Sequence, residues 1–318
     1  MLGLITRRVF LGGITVFLVS IIIFLGVEIL PGDACTAYLE REAKGKLLEN
    51  CRTELGLNRP ATTRYISWAT NALQGDLGVS AKGNKSIATL VGDRLKNTLL
   101  LAFCAMAVGI PLALFLGIIS ALWRDKPADL IISTLTIFAM TIPEFVTATL
   151  LILIFSVSLG WVPGIVLTSA SAPVSEFFPE ILLPMTVLAM VMTAHILRTV
   201  RSSVIEVMAS DYAQMATLKG VPYWRIVYKH VLPNALLPTI NVIALTIAWL
   251  LGGVVVIETV FNYPGLGRMM IDSISDRDLP ITQAIALIIA SVYVCVNLTA
   301  DLLTMIANPR LRTAHMRR

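Results

Sequence analysis

Six long apolar runs, separated by polar segments, divide the 318-residue chain. A helix that crosses a bilayer needs roughly 17–25 mainly apolar residues, and each run meets or nearly meets that length. All 25 Lys and Arg residues lie outside the runs. The pattern predicts an all-α, polytopic membrane protein with six transmembrane helices, at residues 9–30, 98–122, 130–157, 181–197, 235–260 and 281–306.

The composition agrees, with 56% hydrophobic and 14% charged residues and a mean hydropathy of +0.80. So little polar surface would not cover a soluble globule. Basic residues cluster at both ends of the chain, between the second and third runs, and between the fourth and fifth. By the positive-inside rule, both termini and the 198–234 loop are cytoplasmic. The basic outer segment 31–96 is too long for that rule, so we interpret the net charge of +5 as a sign of topology, not of nucleic-acid binding.

The chain begins with a pair of arginines, Arg7 and Arg8, directly before the first apolar run. This start resembles a twin-arginine export signal. The run is long enough to span a membrane, however, and no small-residue cleavage site follows it. We therefore expect an uncleaved first transmembrane helix.

Two of the four cysteines, Cys35 and Cys51, fall in the outer segment. An oxidising compartment would allow them to form a disulfide, but the sequence does not give their separation, so the bridge is left open. Cys104 and Cys295 lie inside spans, where we expect them to pack as small apolar residues. No metal site is expected, because the three histidines lie elsewhere.

The loop between the fourth and fifth spans is polar, basic and helix-forming. A short helix is predicted from Asp211, as its cap, to Gly220, with a second helix over residues 223–231 that has Pro222 in its first turn. This helix–Gly–helix elbow presents apolar side chains: Tyr212, Met215, Leu218, Tyr223 and Trp224. Two interpretations stay open, insertion into a groove of a soluble partner and an amphipathic elbow lying on the bilayer.

The spacing within this elbow resembles the EAA loop of permease subunits of bacterial ABC importers. The family pattern is Glu-Ala-Ala, three residues, Gly, nine residues and Ile-x-Leu-Pro. Here Gln214-Met215-Ala216 stands for Glu-Ala-Ala, Gly220 for the Gly, and Leu232-Pro233 for the closing pair, while His230 replaces the Ile. The residues Asp211-Tyr212-Ala213 that lead in resemble the dipeptide/oligopeptide/nickel branch.

Further motifs of that branch follow in order over nearly the whole chain. They include Gly32-Asp33, Gly75-Asp76-Leu77-Gly78, Pro143-Glu144-Phe145, Gly160-Trp161-Val162-Pro163, Pro264-Gly265-Leu266-Gly267 and Asn308-Pro309-Arg310. Asn308 departs from the usual Asp of the family.

The resemblance implies a permease subunit of an inner-membrane importer, most simply for di- or oligopeptides. It implies a second permease, in this family more often a distinct homologue than a second copy, two cytoplasmic ATPase subunits that bind ATP and Mg²⁺, and a periplasmic substrate-binding protein. The ATPase-coupling residues would be Asp211, Tyr212, Gln214, Met215, Ala216, Gly220, Leu232 and Pro233. The regions would be the N-terminus and first helix (1–30), a periplasmic cap (31–96), a five-helix permease core (97–306) that includes the coupling loop (198–234), and a cytoplasmic tail (307–318).

Catalytic motifs are missing from the sequence. It has no G-x-x-x-x-G-K-[ST] phosphate loop, no dinucleotide fingerprint within a βαβ unit, and no nucleophile constellation. We therefore expect a transport subunit without its own ATPase site and without a cofactor on this chain.

Polar residues inside the spans are candidates for the translocation path, namely Glu144, Asn241 and Thr246. The alternative for Glu144 is a structural hydrogen bond at the kink that Pro143 introduces, and for the other two it is a polar helix–helix contact. Two further functions stay open for the chain as a whole, a stand-alone secondary transporter and a membrane receptor or scaffold.

Overall fold

The computed structural model describes residues 2–29, 32–39, 43–54, 56–80 and 85–307. Within these residues the chain is helical, apart from loops and an isolated antiparallel bridge between Val79 and Ser86. The helices are α1 (Leu2–Ile29), α2 (Ala34–Leu39), α3 (Gly45–Glu54), α4 (Ala61–Leu73), α5 (Ile87–Leu122), α6 (Pro127–Thr141), α7 (Glu144–Leu151), α8 (Leu182–Met208), α9 (Asp211–Leu218), α10 (Tyr223–Ile226), α11 (Leu232–Val260), α12 (Leu266–Ser275) and α13 (Leu279–Ala307). π turns extend α7 over Ile152–Ser158 and α10 over Val227–Val231.

Five helices of the described chain are long and apolar enough to cross a membrane, and the bent pair α6–α7 makes a sixth when it is counted as one span. The predicted all-α membrane class is therefore confirmed. Because successive spans reverse direction, the start of α1 and the end of α13 lie at the end of the bundle that carries α9 and α10, which we call the elbow end. The opposite end, which carries α2–α4, is called the cap end.

The third predicted span, 130–157, is not one straight helix. The chain bends by 107° between α6 and α7. Ile142, which precedes Pro143, adopts an extended conformation with φ −79° and ψ 129°. A residue before proline avoids the helical region, and proline itself has no N–H to donate, so the helix ends there and restarts at Glu144.

Two other spans are longer than the apolar runs that predicted them. The second begins at Ile87, not at residue 98, and the fourth continues to Met208, not 197. Hydropathy marks only the part of a helix that lies in hydrocarbon, whereas the hydrogen-bonded helix continues into water wherever the sequence permits it. The first part of the predicted 198–234 loop is therefore helical.

Small residues allow α5 and α8 to approach closely. A Cβ at Gly117 would lie 2.8 Å from Val200 Cβ and 3.0 Å from the Leu197 carbonyl oxygen. At Gly109 it would lie 2.5 Å from Met192 Cε. Close backbone contact of this kind replaces the hydrophobic effect as the source of helix association in lipid.

The cap packs on the outer end of α1. Tyr65 and Trp68 of α4 contact the Phe24 ring, with centroid distances of 5.4 and 6.2 Å. Cys35 and Cys51 are joined by a disulfide that links α2 to α3. Residues 31, 40–42, 55 and 81–84 of the predicted cap segment, and residues 308–318 with the Asn308-Pro309-Arg310 motif, lie outside the described residues.

A buried carboxylate organises the cap end of the core. Glu258 is fully buried, accepts a 2.5 Å hydrogen bond from Thr98 Oγ1, and accepts another from the Arg268 backbone N–H in the first turn of α12. A Cβ at Gly265 would lie 2.0 Å from Glu258 Oε1. The Pro264–Gly267 motif therefore folds over this side chain, which accepts a hydrogen bond from a backbone N–H that has no partner within the first turn of α12.

Candidate functional site: the α9–α10 elbow

The elbow turns at Gly220. Helix α9 ends there in a Schellman motif, in which the Gly220 N–H donates to the Thr217 carbonyl at 2.9 Å and the Val221 N–H donates to the Ala216 carbonyl at 3.2 Å. Gly220 has φ +73°, a left-handed conformation that disfavours residues with a Cβ. The backbone geometry, not crowding, therefore requires glycine here, since an added Cβ would meet nothing within 4 Å.

The start of α9 differs from the prediction. Ser210, not Asp211, is the N-cap residue, and its carbonyl accepts hydrogen bonds from Ala213 and Gln214. Asp211 lies in the first turn, where a negative charge interacts favourably with the helix dipole. The predicted N-cap is one residue too late along the chain, because serine and aspartate are both favoured at that position.

Gln214, where the family pattern has Glu, links α9 to the preceding span. Its Nε2 donates to the carbonyl of Ala209, the residue that ends α8, at 3.0 Å. A glutamate at this position has no N–H to donate, so the amide gives this chain a contact that the usual carboxylate would lack.

Leu232 and Pro233 do not close a separate loop. They lie in the first turn of α11, which follows α10 and its π turn without a break. The elbow is therefore continuous with the fifth span.

The elbow has two faces. On the inner face, Ala213, Ile226 and Val231 are buried against Val200 and Val204 of α8. The outer face carries exposed apolar side chains, here called the elbow patch: Tyr212, Met215, Leu218, Tyr223, Trp224 and Tyr228. Leu218 is 81% exposed and Trp224 69% exposed. An apolar patch on a segment that is itself anchored in the core is typical of a surface that a partner covers.

A buried ion pair, which the sequence analysis missed, fixes the helices that support the elbow. Asp129 of α6 is 2% exposed and accepts two hydrogen bonds of 2.7 Å from the Arg201 guanidinium of α8. Ser120 of α5 donates to the same carboxylate. Three spans are therefore joined at the elbow end. Periodicity gives no signal for such a pair, because the two residues are 72 positions apart.

Known proteins resemble this chain over nearly its whole length. Residues 109–313 match the family described as binding-protein-dependent transport system inner membrane component, and residues 1–102 match its N-terminal region. This chain is a member of that permease family. It is 36% identical over 298 residues to the glutathione transport system permease protein GsiC of Escherichia coli O6:H1, which covers 94% of this chain and 95% of that protein. The protein of the same name from Pectobacterium atrosepticum is equally similar, with 36% identity over 298 residues and the same coverage of both chains.

A solved structure shows the same fold. The crystal structure of an amino acid ABC transporter with histidines superposes on the permease with a TM-score of 0.51 at 21% identity. The match covers 70% of this chain and 94% of that one. The role of the chain follows from the family match, which makes it the membrane component of an ABC importer and not its ATPase subunit.

The candidate path residues of the permease occupy different environments. Glu144 begins α7 directly after the bend, and its Oε2 is buried without a hydrogen-bond partner among the described residues. The hydrogen bond that the structural alternative requires is not formed by this oxygen. Asn241 is exposed on α11, whereas Thr246 is buried and donates to the Val242 carbonyl of its own helix at 2.8 Å.

An aromatic contact beside Asn241 was not predicted. The rings of His195 in α8 and Trp249 in α11 lie 5.9 Å apart, and both side chains are exposed. Trp249 is eight residues from Asn241, so the two lie on the same face of α11. The histidine within a transmembrane run was a signal that could have identified this position.

Proposed function

We propose that the permease carries glutathione or other short peptides across the inner membrane by alternating access. Relatives named as glutathione transport permeases, similar over almost their whole length, support this substrate class. A periplasmic binding protein delivers the peptide to the cap end, and both termini and the elbow face the cytoplasm, as the basic residues indicate.

The proposed coupling mechanism rests on the two faces of the elbow. Its inner face is buried against α8 and its outer face is an exposed apolar patch. We infer that the elbow patch inserts into a groove of an ATPase subunit. Closure of two ATPases around ATP and Mg²⁺ then moves α9 and α10, and the movement reaches the spans through the Gln214 contact and through the continuous helix into α11. No cofactor is held by this chain in that scheme.

The translocation path in this proposal runs along the exposed side of α8 and α11. Asn241, His195 and Trp249 face it, and Glu144 borders it at the bend. Thr246 is left out because it is buried within the subunit. A second permease, a distinct homologue, would supply the opposite wall.

The decisive experiment is reconstitution in liposomes with the copurifying subunits, followed by uptake of labelled glutathione, a dipeptide and a nickel chelate. Uptake of peptides that requires ATP and the binding protein is expected. Uptake by this chain alone on an ion gradient would establish the secondary-transporter alternative. A complete assembly that moves no solute would favour a receptor or scaffold.

A further inference from the structure

A crevice with polar groups lies between α1 and α13 at the elbow end, on residues that the mechanism above does not use. It encloses about 500 Å³. Arg7 and Arg8 line one wall, and Tyr293, Asn297 and Asp301 line the other. This volume lies in the range of sites that hold small ligands, which is roughly 300–1,000 Å³.

The crevice has an excess of positive charge. Arg8 forms an ion pair with Asp301 across it. Arg7 has no acidic partner within ion-pair distance among the described residues, and its side chain is exposed. One guanidinium, with planar donors suited to phosphate oxygens, is therefore free to bind an anion. Tyr293, which is 49% exposed, lines the same crevice about two turns of α13 before Asp301 and presents a hydroxyl donor there.

The walls between the Arg8–Asp301 pair and Tyr293 are apolar. At Gly12 the two helices come close together, so that an added Cβ would lie 3.1 Å from both Leu298 Cδ1 and Val294 Cγ1. Leu11 also lines this part. A ligand that suits the whole crevice therefore has an anionic head and a hydrocarbon body.

The crevice opens sideways to the membrane, because α1 packs at the edge of the bundle. In the described chain α1 contacts α13 and the cap helix α4, and most of its apolar side chains are exposed, including Phe10, Phe17 and Ile22. Arg7 and Arg8 stand directly before the apolar part of α1, at the level where long basic side chains reach lipid headgroups. Basic pockets between membrane helices at this level are suited to anionic headgroups.

We propose that this crevice binds the phosphate of an anionic glycerophospholipid, such as phosphatidylglycerol, with Arg7 and Tyr293 as its donors. The acyl chains then lie along Leu11, Val294 and Leu298. The twin arginines thereby acquire a role besides setting the orientation of α1. A free phosphate ion would use the same donors but would have no hydrocarbon to pack against the apolar walls. We therefore favour the lipid as the source of the phosphate.

The test is native mass spectrometry of the full chain, purified in mild detergent with the subunits that accompany it, during titration with phosphatidylglycerol. Arg7→Gln is expected to weaken retention about fivefold, the factor for losing one basic residue at an anionic lipid surface. Tyr293→Phe removes a donor without altering the charges that set topology, and it should also weaken retention. Arg124→Gln is the matched control, since Arg124 is an exposed arginine at the elbow end but outside the crevice.

Equal retention by Arg7→Gln, Tyr293→Phe and Arg124→Gln would overturn the proposal. Equal retention of phosphatidylcholine would show that no anionic head is recognised. Displacement of the lipid by millimolar inorganic phosphate would identify a simple phosphate site instead. None of these readouts needs transport, so a failure here is distinct from a failure of the proposed function.

Discussion

Gly220 determines the shape of the elbow at the level of a single residue. Its left-handed backbone conformation ends α9 and sets the direction of α10, which continues into the fifth span. A side chain with a Cβ in this conformation costs about 1–2 kcal/mol, and less for asparagine, which tolerates it. The orientation of the elbow patch therefore depends on the backbone conformation of Gly220, not on side-chain packing at that position.

We predict that Gly220→Val separates ATP hydrolysis from uptake. A bias of about 1–2 kcal/mol lowers the ratio of native to non-native elbow roughly 5- to 30-fold, so ATP-driven uptake should fall by up to that factor while membrane insertion is kept. Gly220→Asn is the control and should keep most of the uptake. Normal uptake by the valine variant would mean that the elbow does not couple the two processes.

Glu144 is the residue-scale test of the path. Its Oε2 is buried and unpartnered at the start of α7. Glu144→Gln keeps the shape and removes the ionisable group, so we expect peptide uptake to decline and its pH dependence to change. The measurement is uptake at several pH values. If the variant equals the unchanged permease at all of them, Glu144 does not belong to the translocation path.

At the scale of elements, the interface between α5 and α8 depends on glycines with no space around them. Gly117 touches Val200 and Leu197, whereas Gly92 of the same helix has nothing within 4 Å of an added Cβ. The same substitution at these two sites separates helix propensity from helix packing.

We predict opposite effects for Gly117→Ala and Gly92→Ala on thermal unfolding in detergent. Gly92→Ala should be neutral or stabilising, because alanine gains up to about 1 kcal/mol of helix propensity. Gly117→Ala should lose about 1–3 kcal/mol through overpacking against α8. Equal midpoints for both variants would show that α8 moves away without cost.

The Asp129–Arg201 pair joins elements that the sequence separates widely. Asp129→Asn leaves the Arg201 guanidinium without its partner, and breaking a buried pair costs about 3–5 kcal/mol. We expect the lower end of that range, because the Arg201 side chain is 28% exposed and water can reach it. The measurement is the unfolding midpoint, together with ATP-driven uptake.

Asp125→Asn is the matched control for this pair. Asp125 pairs with Arg124 at the surface, where both side chains are largely exposed and an ion pair contributes little. No measurable change is expected. A loss as large as that of Asp129→Asn would point to the whole α5–α6 turn instead of the buried pair.

At the scale of the whole molecule, the cap is a small unit attached to α1 and strengthened by covalent chemistry. The Cys35–Cys51 disulfide spans 16 residues. Asp33 beside it accepts hydrogen bonds from the Thr36 backbone and from Arg52. Partial burial raises the pKa of Asp33, but these two partners outweigh it and hold the pKa below its usual value. The negative charge on Asp33 thus stabilises the cap at neutral pH, and that contribution is lost as the pH falls through the lowered pKa.

Removing the disulfide should loosen the cap without unfolding the core. A loop of about 15 residues gains roughly 3 kcal/mol from such a crosslink. The Cys35→Ser/Cys51→Ser variant should therefore be cut faster by protease added to the outer face, while Cys104→Ser/Cys295→Ser is unchanged. Equal cleavage of the two variants would show that the ring contacts on Phe24 are sufficient to hold the cap.

Local patterns in the sequence were enough for the class, the spans and the vertex of the elbow. Apolar length identifies a bilayer span because hydrocarbon excludes unpaired backbone groups, and Gly220 with Pro222 marks a turn for steric reasons. Apolar length did not give the ends of helices that extend beyond the bilayer. The second span begins at Ile87 and the fourth ends at Met208, both outside the apolar runs. The sequence also left the course of the third span open to a bend, which only the extended conformation of Ile142 revealed.

Contacts between distant positions were decided by the tertiary structure alone. The pairing of Asp129 with Arg201, the burial of Glu258 and the crevice between α1 and α13 all join residues more than 70 positions apart or on separate spans. Periodicity reports which face of a helix is apolar, but it does not report which helix faces it. The sequence therefore determined what kind of protein this is and where it turns, and packing decided which charges meet and which surfaces remain open to a partner.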